Sequence, residues 1–150
     1  ILTQLIRERV SIKDIVYIFE KLNDFSDDSS KVDILDRLRI SLSRQISESV
    51  SDGNKEIFVY KLSESTIELL EKQTDRNENN IKIDLSKFSK LKKLLKDTRK
   101  EILEQNVVLL VPGQYRQVVF VLVSQLFMDI PVLCWEEILP EYKVNIVGEL

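Results

Sequence analysis

The chain has 150 residues, 43% hydrophobic and 31% charged, with only 3 Gly and 3 Pro, a composition that excludes disordered and low-complexity classes. That length fits one domain or two small ones, and folding should bury roughly 68–70% of the extended-chain surface. His is absent and Cys134 is the single cysteine, which excludes Ser/His/Asp and Cys/His catalysis, zinc sites built from His or several Cys, and internal disulfides. The net charge of −3, from 22 basic and 25 acidic residues, gives no global pull toward nucleic acid or anionic lipid.

A lone thiol fits a reducing compartment. The longest apolar run, Val118 to Val123, is far short of the roughly 20 residues a membrane span needs, and no signal peptide opens the sequence. Because Ile1 already stands in an apolar-periodic pattern without an initiator Met, we expect a piece of a longer protein.

Ile1, Leu2, Leu5 and Ile6 recur at helical spacing and stop at Arg9-Val10. Ser11 is then the expected cap of a second helix, with Asp14 at capping-box spacing and Ile15, Ile18, Phe19 and Leu22 on one face. Asn23 to Ser30 is a polar loop, and 31–49 is an amphipathic helix whose stripe is Leu35, Leu38, Leu42 and Ile46, with Arg37 and Arg44 to the sides. The turn cluster Ser51-Asp52-Gly53-Asn54 marks a boundary, so we expect a helical subdomain at 1–50 and a second subdomain at 51–150.

Beyond that boundary strands and helices alternate. Glu56 to Tyr60 reads as a strand, and Ser63 to Gln73 as a helix with a Ser cap. A polar connection at 75–80 leads to a long helix capped by Asp84, carrying Leu85, Phe88, Leu91, Leu94, Leu95, Ile102 and Leu103 and ending near Gln105. Asn106 to Val111 is an apolar run of strand length, suited to a strand covered on both faces, and Pro112 introduces a helix from Gln114 to Met128. Pro131 to Trp135 and Lys143 to Val147 complete four strands, so the expected class is α/β, a helical subdomain followed by a small α/β subdomain.

No constellation for catalysis stands out. Glu136-Glu137 and Asp27-Asp28 are paired carboxylates, but adjacent residues diverge where acid/base work needs convergence. Asp24, Asp27 and Asp28 lack the central Gly and final Glu of a calcium loop, and Val111-Pro112-Gly113 lacks the Lys-Ser or Lys-Thr of a phosphate loop. Cys134 sits in the apolar run Val132 to Trp135, the setting of a buried, inert thiol. We therefore expect no enzyme, no cofactor and no metal. The densest charge run is Lys87, Lys90, Lys92, Lys93, Lys96, Arg99 and Lys100, opposed only by Asp97. It reads as a solvated or protein-docking helix face, with nucleic-acid binding through Lys87 to Lys100 as the alternative; no aromatic interleaves on its polar side, since Phe88 keeps step with Leu91 and Leu95.

Ile1 to Ile15, followed by Ile18-Phe19-Glu20, resembles the "L-L-x-E-x-V-S-I-R-D-L-x-x-I-L-E" segment of the type III secretion export-gate family. Leu38-Arg39 with Ser43 to Ile46 is similar to its "V-R-x-x-L-x-R-Q-I" helix. Val107 to Pro112 with Arg116, Pro131 to Ile138, and Lys143 to Gly148 resemble its later blocks in the same order. Departures are Lys13 for the usual Arg, Cys134-Trp135 for Ser-Tyr, and a divergent middle from Asn54 to Lys100.

The resemblance implies the third and fourth subdomains of a large cytoplasmic region, hung below an N-terminal membrane part in the bacterial inner membrane. It implies a nonameric homo-oligomeric ring that receives export substrates, their chaperones, a gatekeeper and the stalk of the associated ATPase, with no nucleic acid and with membrane contact only through the absent N-terminal part. Within it, Arg7, Arg9, Arg37, Arg39 and Arg44 are the expected subunit-interface residues, Arg being suited to bidentate pairing with carboxylates of a neighbour, although local pairs with Asp33, Asp36 or Glu48 would use the same side chains. Lys87, Lys90, Lys92, Lys93, Lys96 and Lys100 are the expected docking surface for a partner such as the stalk.

Overall fold

In the computed structural model, residues 1–25, 31–73, 85–126 and 128–150 are described; the Asp27-Asp28 pair, the connection at 75–80 and the Asp84 cap lie outside them. Two compact units emerge, Ile1–Glu56 with Glu136–Lys143, and Ile57–Trp135 with Val144–Leu150.

The first unit holds α1 (Leu2–Arg7), α2 (Ile15–Asp24), α3 (Lys31–Ser41) and α4 (Ser43–Val50). α1 ends in a Schellman turn: the Val10 and Arg9 amides donate to the carbonyls of Leu5 and Ile6, at 2.9 and 3.0 Å, with Arg9 left-handed at φ 57°. The second helix starts later than the Ser11 spacing suggests. Its cap is Asp14, whose Oδ1 accepts the Tyr17 amide at 3.2 Å, while Ser11 Oγ accepts only the Lys13 amide. α2 then centres its inner stripe on Ile18, fully buried, which turns Phe19, one residue on, outward to 55% exposure beside Val16.

The expected single helix over 31–49 is two. Leu42 breaks it at φ −95°, ψ 15°, sharing its amide between the Leu38 and Arg39 carbonyls, just after Ser41 Oγ bonds back to the Arg37 carbonyl. Serine back-bonding of this kind bends helices. The stripe itself is inside, with Leu35, Leu38, Leu42 and Ile46 all buried.

Four strands form one sheet in the order β3-β2-β1-β4: β1 (Glu56–Lys61), β2 (Val108–Leu110), β3 (Val132–Leu133) and β4 (Lys143–Glu149). β1 pairs parallel with β2 through Val59–Val108, and β2 parallel with β3 through Leu109–Val132. β4 follows β1 in the same direction, from the bond of Lys143 N to Lys55 O to that of Leu150 N to Lys61 O. Parallel strands need crossovers, supplied by α5 (Glu64–Gln73) and α6 (Ser89–Glu104) before β2 and by α7 (Arg116–Gln125) before β3. The fold is α/β, as the alternation of periods implies.

The second unit's core gathers Leu70, Leu91, Leu95, Ile102, Leu109, Val119 and Leu122 around one sheet face, while Ile57, Val59, Val108, Leu110 and Leu133 are buried as well. Those strands are thus covered on both faces, as a run of apolar residues without alternation requires. Gly148 is obligatory in β4: a Cβ there would fall on the Tyr60 ring, closer than carbon atoms pack. Side-chain pairs Lys143–Glu56 and Lys61–Glu149 fix the register at either end of β4, and between them β4 takes one more residue than β1. Ile146 and Val147 of β4 are both exposed.

Candidate docking surfaces

The five arginines of the helical subdomain separate into two kinds. Arg7, Arg9, Arg37 and Arg44 are exposed, with the Arg37 guanidinium 4.5 Å from the centre of the Phe25 ring. Arg39 is not a surface residue at all. At 2% exposure its NH1 donates to Glu8 Oε2 at 2.7 Å, and its Nε and NH2 donate to Glu137 Oε2 at 3.0 and 2.5 Å. The side chains of Glu8 and Glu137 are 2% and 1% exposed. Its place in the interface set is therefore corrected: the guanidinium is buried and engaged inside its own unit, with Glu8 and Glu137.

Three segments supply this cluster. Glu8 is the residue at which α1 caps, Arg39 lies on α3, and Glu137 belongs to the returning segment Glu136–Lys143. The same segment is tied again by Ser47 of α4, whose Oγ donates to the Glu137 carbonyl at 3.2 Å and accepts the Leu139 amide at 3.1 Å. Glu136, its neighbour, is exposed, so the adjacent carboxylates diverge. Arg39 carried a signal in the sequence, since it stands four residues after Leu35 and three before Leu42 on the apolar stripe; nothing around Glu137 announced its partner.

α6 carries the lysines. Lys90, Lys92, Lys93, Lys96 and Lys100 are exposed, opposite Leu91, Leu95 and Ile102, which are buried. Lys87 lies in the 3-10 turn Leu85–Phe88 that precedes the helix, and the position of its side chain lies outside what is described. Leu103, one of the apolar residues whose spacing marks this helix, is 40% exposed on the lysine side. For nucleic acid the helix offers no stacking platform, because Phe88 is buried. Cys134 is buried, and among the described residues no group of three or more His, Cys, Asp or Glu is placed to hold a metal ion. No described helix is long and apolar enough to cross a membrane. Arg116, from the motif that follows Pro112, is buried at the start of α7.

The FHIPEP family model matches residues 1–143. The flagellar biosynthesis protein FlhA of Bacillus subtilis is 29% identical over 154 residues, an alignment covering 99% of this chain and 23% of that protein. The Shigella flexneri MxiA structure superposes with a TM-score of 0.84 at 25% identity, covering 99% of this chain and 50% of that one. The Chlamydia pneumoniae CdsV chain, solved in complex with CdsO, matches with a TM-score of 0.80 at 25% identity, covering 99% and 45%. Nonameric SctV-C of EPEC shares the fold, with a TM-score of 0.80 at 23% identity over 99% and 46%. The present chain thus spans about a quarter of the curated relative and half or less of these structures. With the match running through both compact units, the chain belongs to the FHIPEP family, the type III secretion export-gate family that its motifs resemble.

Proposed function

We propose that this chain is a ring and docking module of a type III protein export gate, part of the cytoplasmic region of an inner-membrane protein, with no chemistry of its own. The observation that carries the reading is the family match over residues 1–143, which reaches into both units and takes in the motif blocks up to Ile138. Relatives supply the assembly and one partner class: EPEC SctV-C is nonameric, and CdsV is found with CdsO. By this reading the chain stands in a homo-oligomeric ring that receives export substrates, chaperones, a gatekeeper and the ATPase stalk.

Arg7, Arg9, Arg37 and Arg44 then face carboxylates of a neighbouring subunit, and the α6 lysines face a docking protein. Exposed arginines suit the first task, because a rigid bidentate fork sets orientation as well as charge. The test is made in the longer protein that carries this segment, with Arg7→Glu and Arg44→Glu introduced together. Ring formation, read by analytical ultracentrifugation or electron microscopy, is expected to weaken at least tenfold while the melting temperature moves by no more than about 2 °C. Undiminished ring formation would remove these residues from the interface.

A further inference from the structure

Helix α6 places its charges against its own stability. Lys90, Lys92 and Lys93 crowd its N-terminal turns and Glu101 and Glu104 its C-terminal ones, and its first turn has no acidic residue and its last no basic one. The macrodipole disfavours both ends of that arrangement. Lys96 is worse placed still. Its four helical neighbours, three and four residues away on either side, are Lys92, Lys93, Arg99 and Lys100, all cationic. Among the described residues Lys92, Lys93, Lys96 and Lys100 make no ion pair that would relieve this. A helix needing only solubility would intersperse its signs.

The polar face is also divided lengthwise. Lys92, Lys96, Arg99 and Leu103 stand at i, i+4, i+7 and i+11, one ridge about 16 Å long at 1.5 Å per residue. Asp97, Glu101 and Glu104 form the parallel row on the other flank, also at i, i+4 and i+7. Glu101 is engaged there, accepting a hydrogen bond from Tyr60 Oη at 2.9 Å. The cationic ridge ends on the exposed Leu103, an apolar contact in line with the charges.

Resting on the docking-module reading above, we propose that this ridge seats an acidic amphipathic α-helix of a partner protein, its carboxylates on Lys92 and Lys96 and an apolar side chain on Leu103. A helix about 10–12 Å across touches one ridge and avoids the acidic row beside it. A phosphate backbone broad enough to cross the polar face meets Asp97 and Glu104, and it has no use for a leucine. Local repulsion kept at one spot of an otherwise well-packed unit is what a neutralising partner relieves.

The probe is a synthetic helical peptide of about 20 residues with Glu and Leu on one face, titrated into the chain by fluorescence anisotropy at two salt concentrations. Micromolar binding that weakens with salt is expected. Lys92→Glu with Lys96→Glu weakens it at least tenfold and Leu103→Ser about threefold, whereas Lys13→Glu, at an exposed lysine of the helical unit, changes it less than twofold. Lys96→Gln raises the melting temperature by about 1–2 °C because it removes the repulsion, which separates a binding loss from a folding loss. The proposal is overturned if the peptide does not bind, if Lys13→Glu matches the double variant, if single-stranded DNA of equal charge binds as tightly, or if Lys96→Gln lowers the melting temperature. Ring formation with the arginine variants is an independent readout, so failure here leaves the family reading standing and failure there leaves this ridge standing.

Discussion

The two units are built from opposite materials. In the helical unit, four short helices and a returning segment are joined at a buried guanidinium with two buried carboxylates and at a serine that bonds both ways. The α/β unit encloses Leu, Val and Ile across its sheet, and Lys61–Glu149 of its β-edge is about half exposed. Apolar contact is non-directional and tolerates small shifts, whereas an ion cluster between segments far apart in sequence fixes one arrangement of those segments. Each unit is therefore vulnerable in its own way, the first to loss of a single charge and the second to intrusion of volume.

The largest expected effect tests the first half of that contrast. Arg39→Met leaves the Glu8 and Glu137 carboxylates without the guanidinium they share, and breaking a buried pair from one side costs about 3–5 kcal/mol. Urea unfolding measures the loss, and hydrogen exchange locates it, with α1, α3 and 136–143 losing protection before α6 and α7 do. Replacing all three together, as Glu8→Gln, Arg39→Met and Glu137→Gln, should cost less than Arg39→Met alone, since no buried charge is then uncompensated. Were the triple variant the less stable of the two, the cluster would not be acting through charge.

Next in size is the second half. Gly148→Ala pushes a methyl group into the Tyr60 ring, and forced overpacking of a closed core costs about 1–3 kcal/mol. Tyr60→Leu in the same chain makes room and should recover part of the loss. No recovery would place the fault in the β4 backbone and not in the ring.

Most of the architecture was legible because it rests on periodicity. The runs at 56–60, 106–111, 131–135 and 143–147 became the four strands, and Leu35, Leu38, Leu42 and Ile46 became one buried stripe. Local competition was harder to read. Asp14 outdid Ser11 for the cap because its carboxylate reaches the Tyr17 amide, and the break at Leu42 came from a serine bonding back to its own helix. Long-range pairing was not readable at all. That Glu137 would find Arg39, 98 residues away, follows from where the returning segment passes, which no local pattern encodes. For the docking surfaces the sequence exposed the lysine run, and helical spacing alone groups Leu103 with the other apolar residues of α6; only the packing of the helix shows it standing with the cations.

The smallest expected effect sharpens the contrast at alkaline pH. Tyr60 belongs to the α/β core, yet its hydroxyl donates to Glu101 of α6, so one titrating contact is built into the apolar unit. The hydrogen bond to Glu101 raises the Tyr60 pKa above its ordinary 10.0, with burial and the negative charge of Glu101 adding in the same direction. A phenol that holds its proton more tightly folded than unfolded stabilises the fold fully below pH 10, and that contribution drains away as the pH climbs past 10 and through the raised value. Wild-type stability, followed by urea unfolding from pH 8 to pH 11.5, should therefore fall more steeply at the upper end than that of Tyr60→Phe. The phenylalanine variant begins less stable by about 1 kcal/mol for the lost hydrogen bond, and the two curves converge as the tyrosine ionises. Parallel curves over the whole range would mean that Tyr60 does not hold its proton more tightly in the folded chain, and the hydroxyl would then contribute packing alone.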